Sequence, residues 1–237
     1  MSSQVARSNV MSGLATSPSP SPVHRVGTAQ HAWSVIVPVK QTTLGKSRLT
    51  GLADDERRAL AVAFALDTVA AAVAADGVRR VVVVTNDPGA DAFLELGAEV
   101  LADVPDAGLN PAIVHGAHQV AAQDVTTGLV ALTADLPALT PEVLSAALAA
   151  SPAPRWFVPD ALGSGTTLLA AERERLAPAF GSRSRQAHRD SGAVELDMAG
   201  LHRLRQDVDT AADLWGAVRL GVGAHTSAVL ARRRRAS

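Results

Sequence analysis

Val130-Ala-Leu-Thr-Ala-Asp135-Leu-Pro137 is the stretch from which the rest of the chain can be read. An apolar run stops at a carboxylate, and a proline two residues later prevents the strand from continuing. Gly128–Leu132 has the length and apolar character of a strand buried in a parallel sheet. Asp135 then lies at the carboxyl end of that strand, the edge where open α/β sheets bind ligands. Pro141 follows Thr140 as an N1 proline follows an N-cap, so a helix is expected to restart at about Thr140. A carboxylate fixed between two rigid elements suits a metal ion beside a phosphate. It suits equally well the capping of its own loop, a common use of the short Asp side chain.

Similar units repeat outward from this one. Trp33–Lys40 is an apolar strand ending in lysine, and Asp54-Asp55-Glu56 supplies the negative charge that a helix amino end favours. An Ala-rich helix follows over 60–73, then a strand at Val81–Val84, a short helix over 90–96 and a brief strand at Glu99–Ala102. A loop containing Gly108 leads to a helix over 111–122. Beyond the Thr140–Ala150 helix come strands at Arg155–Val158 and Thr166–Ala170, a short helix at Ser184–Asp190 and a strand at Leu201–Leu204. A last helix, opened by the Thr210–Asp213 capping box, ends before Gly221. This alternation implies an α/β fold, a mostly parallel central sheet with flanking helices and right-handed crossovers. The last third, with shorter strands and polar turns, reads as a lid or an edge extension.

With 237 residues there is room for one large α/β domain or two small ones. Aromatic residues make up only 3% and tyrosine is absent, so the core must be built from Ala, Val and Leu. A net charge of −1 gives no overall attraction to nucleic acid or a membrane surface, and neither is expected as a partner. The absence of cysteine excludes disulfides, a thiolate nucleophile and cysteine metal sites, and is compatible with the expected cytoplasmic location. No apolar run approaches the ~18–20 residues that span a bilayer. Residues 1–31, with Ser17-Pro-Ser-Pro-Ser-Pro22 at their centre, read as a disordered leader; residues 32–225 read as the domain, and 226–237, with Arg232–Arg235, as a solvated basic tail.

Two further clusters carry chemistry. Gly45-Lys46-Ser47 imitates the end of a P-loop, but the required earlier glycine is Lys40 and Thr50-Gly51 delays the helix, which excludes an ATPase reading. What remains is a loop after the first strand bearing Lys40, Lys46 and Arg48, cations placed to handle phosphate. Asp207 and Asp209, two apart in an extended segment, share a face and repel unless a cation joins them. Mg2+ takes hard oxygen ligands, commonly one or two carboxylates together with substrate phosphates and water. Asp135 with one or both of these aspartates would make such a site, while Asp213 caps the following helix. His115 and His118, three apart with no matching carboxylate, do not make a zinc site.

On these residues the region from about Trp33 to Gly223 resembles the guanylyltransferases of coenzyme F-420 biosynthesis, which act on phosphoenolpyruvate or 2-phospho-L-lactate. They have a nucleotide-diphospho-sugar transferase-like, Rossmann-like fold. The resemblance is carried by Val37-Pro-Val-Lys40, Gly45-Lys-Ser-Arg48, Gly108-Leu-Asn110, Ala134-Asp-Leu-Pro137 and Gly163-Ser-Gly-Thr166. Phe180-Gly181, Ser184, His188, Ser191-Gly-Ala193 and Asp207-Val-Asp-Thr210 continue it. Ala134 stands where the family often has glycine. The resemblance implies that Asp135, Asp207 and Asp209 hold Mg2+ and that Thr166, Gly181 and Ser184 contact phosphoenolpyruvate. Gly181 admits a close backbone approach, and Ser184 opens a helix whose free N–H groups would face an anion. Arg183 and Arg185 flank this motif, and His188 is expected to pack or hydrogen-bond within it.

Gly108, Leu109 and Asn110 are the candidates for base or ribose contact with GTP. The implied reaction is attack of a phosphoenolpyruvate oxygen on the α-phosphorus of GTP, with Lys40, Lys46, Arg48 and Asp135 as the catalytic set. A deazaflavin-coupling transferase would consume the product. The rivals are 2-phospho-L-lactate or 3-phosphoglycerate as the acid, a nucleotidyltransferase for a sugar phosphate or molybdopterin, and a non-catalytic nucleotide-binding subunit.

Overall fold

The computed structural model describes Met1 and residues 32–40, 49, 51–104, 106–124 and 128–236. The leader over 2–31 and the cations Lys46 and Arg48 lie outside the described residues. The first half of the chain contributes β1 (Trp33–Pro38), α1 (Asp54–Val73), β2 (Val78–Val84), α2 (Asp91–Glu95), β3 (Glu99–Leu101), α3 (Leu109–Gln123) and β4 (Gly128–Leu132). Then come α4 (Pro141–Ala150), β5 (Arg155–Pro159), β6 (Thr166–Ala171), α5 (Ser184–Asp190) and β7 (Val194–Glu195), followed by α6 (His202–Arg205), α7 (Ala211–Leu220) and α8 (Ala224–Ala236).

The strands form one sheet in the order β3-β2-β1-β4-β6-β5-β7. β3, β2, β1 and β4 are mutually parallel, and β6 runs antiparallel to both β4 and β5. That geometry brings several exits to one edge of the sheet. The carboxyl ends of β1, β2, β3, β4 and β5 all emerge there, and so does the amino end of β6, where Thr166 pairs with Pro159. Side chains two apart along each strand share a face. Val35, Val37, Val81, Val83, Val130 and Leu132 pack under α1 and α4, whereas Ile36, Val82, Val84, Ala131 and Leu169 pack with Ile113 of α3. The core is built mainly of Ala, Val and Leu, as the composition requires.

Four expectations are corrected. β6 is not an edge extension: all six of its residues are buried, and it sits between β4 and β5, apolar on both faces. The strand expected at Leu201–Leu204 is the short helix α6, because Leu201 and Leu204 are three apart and both face the core. The helix expected from Pro111 starts at Leu109, so Gly108–Asn110 is its N-cap and first turn; Pro111 fits there because first-turn N–H groups have no intrahelical partner.

The fourth concerns the basic tail expected from residue 226. It is helix α8, whose Val229 and Leu230 pack against the core cluster containing Leu60 and Phe64 of α1. Its amino end is capped from a distance: buried Asp67 of α1 accepts the His225 and Thr226 backbone N–H groups, each at 2.9 Å. Among the described residues no helix is long and apolar enough to cross a membrane.

Candidate active site

The loop after β4 is fastened from three sides, and Asp135 is held accordingly. The Thr133 N–H donates to the Thr167 carbonyl of β6 at 3.0 Å, continuing the antiparallel ladder one step past the strand. The Leu136 N–H donates to the Thr68 hydroxyl of α1 at 3.1 Å, and that hydroxyl donates in turn to the Phe64 carbonyl at 2.8 Å. The Pro137 carbonyl accepts the Gly223 N–H, and the Asp135 carbonyl accepts the Val208 N–H at 3.1 Å. This last bond joins the two acidic segments that the sequence holds 72 positions apart (207 − 135). Asp213 closes the capping box of α7 as expected, accepting the Thr210 N–H at 2.8 Å.

The consequence is visible in the charge. The Asp207 carboxyl is pushed up to about 7, first by burial and then by repulsion from Asp135, Asp160 and Asp209. Asp160 is a member of this group that the sequence reading missed. It follows the apolar run of β5 as Asp135 follows β4, and the same criterion would have found it. Its carboxylate is itself occupied: the two oxygens accept the Ser164 and Gly165 N–H groups at 2.9 and 2.8 Å and close the β5–β6 turn. A Cβ at position 165 would come within 2.5 Å of the Asp160 carboxylate, so the turn requires glycine there.

Carboxylates that repel one another fit a divalent cation. Among the described residues no three or more His, Cys, Asp or Glu side chains are arranged to hold a metal by themselves. The donor set therefore suits a hard ion that takes one or two carboxylates and completes its shell with phosphate oxygens and water.

Lys40, expected as an open cation, is paired. Its ammonium lies 2.7 Å from Asp103 and 3.7 Å from Asp106, two carboxylates in the segment after β3. Asp103 is only 4% exposed on its side chain and is tied by its backbone to both ends of the Asn86 amide. The pairing follows from topology, since β1, β2 and β3 end on the same edge.

The opposite wall is built around His188, which is completely buried against Phe157 and Phe180. Its Nε2 accepts the Ala179 N–H at 2.9 Å, and its Nδ1 lies 2.9 Å from the Thr166 hydroxyl. Burial and the nearby Arg155 charge hold the imidazole down to about 4, so it is neutral at physiological pH. Asn110 grips the next residue, donating to the Phe180 carbonyl at 2.9 Å and accepting its N–H at 2.8 Å. The Asn110 side chain is thus engaged with the loop beside it.

Gly181 follows with φ +136° and open space where a Cβ would stand. Ser184 is buried, but the α5 amino end is not the free anion site expected. The Ser184 N–H donates to the Gly181 carbonyl and the Arg185 N–H to the Ser164 carbonyl. Arg185 turns to Glu195, bonded at 2.9 and 2.8 Å, while Arg183 is exposed in the left-handed conformation at φ +62°.

The sequence that builds this edge matches a known family. The model of the family described as "Guanylyl transferase CofC like" matches residues 33–234. The chain belongs to this family. As a CofC-like guanylyl transferase it is an enzyme of nucleotidyl transfer. It is 53% identical over 204 residues to the phosphoenolpyruvate guanylyltransferase of Streptomyces coelicolor, covering 84% of this chain and 96% of that one. To the phosphoenolpyruvate guanylyltransferase of Geodermatophilus obscurus it is 50% identical over 212 residues, covering 85% and 95%. The fold of this CofC-like chain is similar to that of a protein from Desulfovibrio desulfuricans G20 assigned as a nucleotide-diphospho-sugar transferase. The TM-score is 0.60 at 16% identity, covering 86% and 95% of the two chains. The family match extends into α8, to residue 234.

Proposed function

We propose that the protein is a phosphoenolpyruvate guanylyltransferase of coenzyme F-420 biosynthesis. It joins phosphoenolpyruvate to the α-phosphorus of GTP, forms the new P–O–P bond of enolpyruvyl-diphospho-5'-guanosine and expels pyrophosphate. The observation that carries this reading is the junction of the two acidic segments through Val208 and Asp135, on the same sheet edge as Thr166.

The attacking group is a phosphate oxygen, whose second pKa is near ~6, so it is largely ionised at neutral pH and needs no base. His188, buried and bonded through both ring nitrogens, is not positioned to act as one. The difficulty of the reaction is bringing two polyanions together. Asp135 with one of Asp207 and Asp209 would supply the protein carboxylates that hold Mg2+, phosphate oxygens and water completing the shell. That ion, when bound, neutralises charge on the phosphates and aligns them for in-line displacement. Thr166, Gly181 and Ser184 are the contacts for the acid. Lys46 and Arg48 meet the triphosphate, and Lys40 joins them by exchanging Asp103 for phosphate. Gly108, Leu109 and Asn110 are the nucleotide contacts, Asn110 also holding Phe180 through its side chain. The product is consumed in the cytoplasm by a deazaflavin-coupling transferase.

The test supplies GTP, Mg2+ and each acid in turn, and measures pyrophosphate release together with the mass of the product. Turnover with phosphoenolpyruvate in preference to 2-phospho-L-lactate or 3-phosphoglycerate is expected. A dominant lactyl product reassigns the acid and leaves guanylyl transfer standing. No turnover with any acid, with GTP still bound, supports a nucleotide-binding subunit instead.

A further inference from the structure

We infer that His188 is a positioning residue that fixes the direction of the Thr166 hydroxyl, and so makes the acid subsite a receptor for an oxyanion. The inference rests on the reading of Thr166 as an acid contact and deepens it. It begins with the tautomer. The Ala179 backbone N–H can only donate, and it points at His188 Nε2, so Nε2 carries no proton. A neutral imidazole has one N–H, which must then be on Nδ1. That N–H donates to the Thr166 oxygen 2.9 Å away. With its oxygen engaged as an acceptor, Thr166 directs its own hydrogen at a second group, and that group has to be an acceptor. A carboxylate or phosphate oxygen satisfies this; an ammonium does not.

The same ring sets the far side of the subsite. Ala179, which it holds, leads through Phe180 to Gly181, where the space above the Cα is open. Asn110 clamps Phe180 by both its N–H and its carbonyl. One buried side chain therefore fixes the distance between Thr166 and the Gly181 backbone, and Asn110 removes the remaining freedom of the loop. The ring's packing between Phe157 and Phe180 holds the arrangement without a charged group.

Two substitutions separate the two bonds of the ring. An Asn amide reaches about as far as Nδ1, so His188→Asn keeps a donor for Thr166 and loses the acceptor for Ala179. A Gln amide reaches about as far as Nε2, so His188→Gln does the reverse. Thr166→Val removes the hydroxyl with little change of shape, and Thr166→Ser restores it. With phosphoenolpyruvate as the varied substrate, Thr166→Val and His188→Gln are each expected to raise its KM by about tenfold or more. KM for GTP should stay within about twofold; His188→Asn should have the smaller effect on the acid, and Thr166→Ser should recover the binding lost in Thr166→Val.

If Thr166→Val raises the acid KM and a folded His188→Gln does not, the role given to His188 is overturned and the Thr166 reading stands. If Thr166→Val changes nothing, the Thr166 reading is overturned and the inference falls with it. Should the variants fail to fold, nitrogen-15 chemical shifts of His188 in the unaltered protein at pH 7 decide. A protonated Nδ1 with bare Nε2 is expected; the opposite tautomer, or a cation, overturns the inference.

Discussion

Asp207→Asn should stabilise the metal-free protein while abolishing its turnover. The carboxyl is lifted from 3.8 to about 7 by burial and by three neighbouring aspartates, so holding it ionised costs the folded state free energy. About three pKa units at about 1.4 kcal/mol each set a ceiling near 4 kcal/mol, and screening at a site that is only half-buried brings it to about 2 kcal/mol. For a domain of this size that corresponds to a rise in Tm of about 4–8 °C. The sign follows from proton linkage. A carboxyl raised in the folded state leaves stability fully present below the unfolded value of 3.8, and that stability is lost as pH rises through about 7. The advantage of the variant should therefore be largest at pH 8 and shrink toward pH 4. Urea unfolding in chelator at both pH values measures it, and added Mg2+ should narrow the gap by stabilising the unaltered protein more than the variant. An Asp207→Asn protein no more stable than the parent at pH 8 in chelator would refute the claim that these carboxylates repel Asp207.

Asp135→Asn keeps the shape of the side chain and the backbone bonds of its loop, so turnover should fall by orders of magnitude in a protein that still folds; with one repulsion on Asp207 removed, its melting temperature should rise, by less than in Asp207→Asn, and activity and calorimetry on the same sample check both halves. His188 is depressed from 6.5 to about 4 in the fold, so its contribution of about 3 kcal/mol is present above pH 6.5 and lost as pH falls toward 4. Denaturation midpoints across that range should fall in the parent and fall less steeply in folded His188→Gln. Asp67→Ala removes the acceptor for the His225 and Thr226 N–H groups and should cost about 2–4 kcal/mol, read by urea unfolding, with faster proteolysis of the last helix than of the sheet.

The parts of the site legible in the sequence were those whose local pattern is itself the constraint. An apolar run that stops at Asp135 before Pro137 fixes a strand end and a carboxylate together, and Thr210 with Asp213 writes a helix start. What stayed hidden depends on who meets whom across the sheet. Thr166–Ala171 is an apolar run that would suit an edge or a centre equally well, and only pairing with both β4 and β5 makes it central. Lys40 reads as a spare cation until β3 delivers Asp103 to the same edge. Asn110 reads as a loop amide until Phe180, 70 residues later, claims both its ends. Asp160 is legible as the carboxylate after the apolar run of β5, but its closing of the Gly163-Ser-Gly165 turn shows only in the fold.

The last helix is fastened to the same turn of α1 that holds the Asp135 loop. Asp67 and Thr68 are consecutive on α1, yet their side chains go to different places. Asp67 accepts the first N–H groups of α8, and Thr68 accepts the Leu136 N–H beside Asp135. Between these two anchors the Gly223 N–H closes on the Pro137 carbonyl. A Cβ at Gly223 would come within 2.4 Å of Asp67, so this crossing is tight. One turn of α1 therefore sets the positions of α8, of the segment before it and of the Asp135 loop relative to one another. A carboxylate cluster of this kind needs such fastening. Repulsion of Asp207 by Asp135, Asp160 and Asp209 pushes the acidic segments apart, and the bonds to Thr68, Gly223 and Val208 oppose it. The basic stretch that looks like a tail is, by this route, part of what keeps Asp135 beside Asp207.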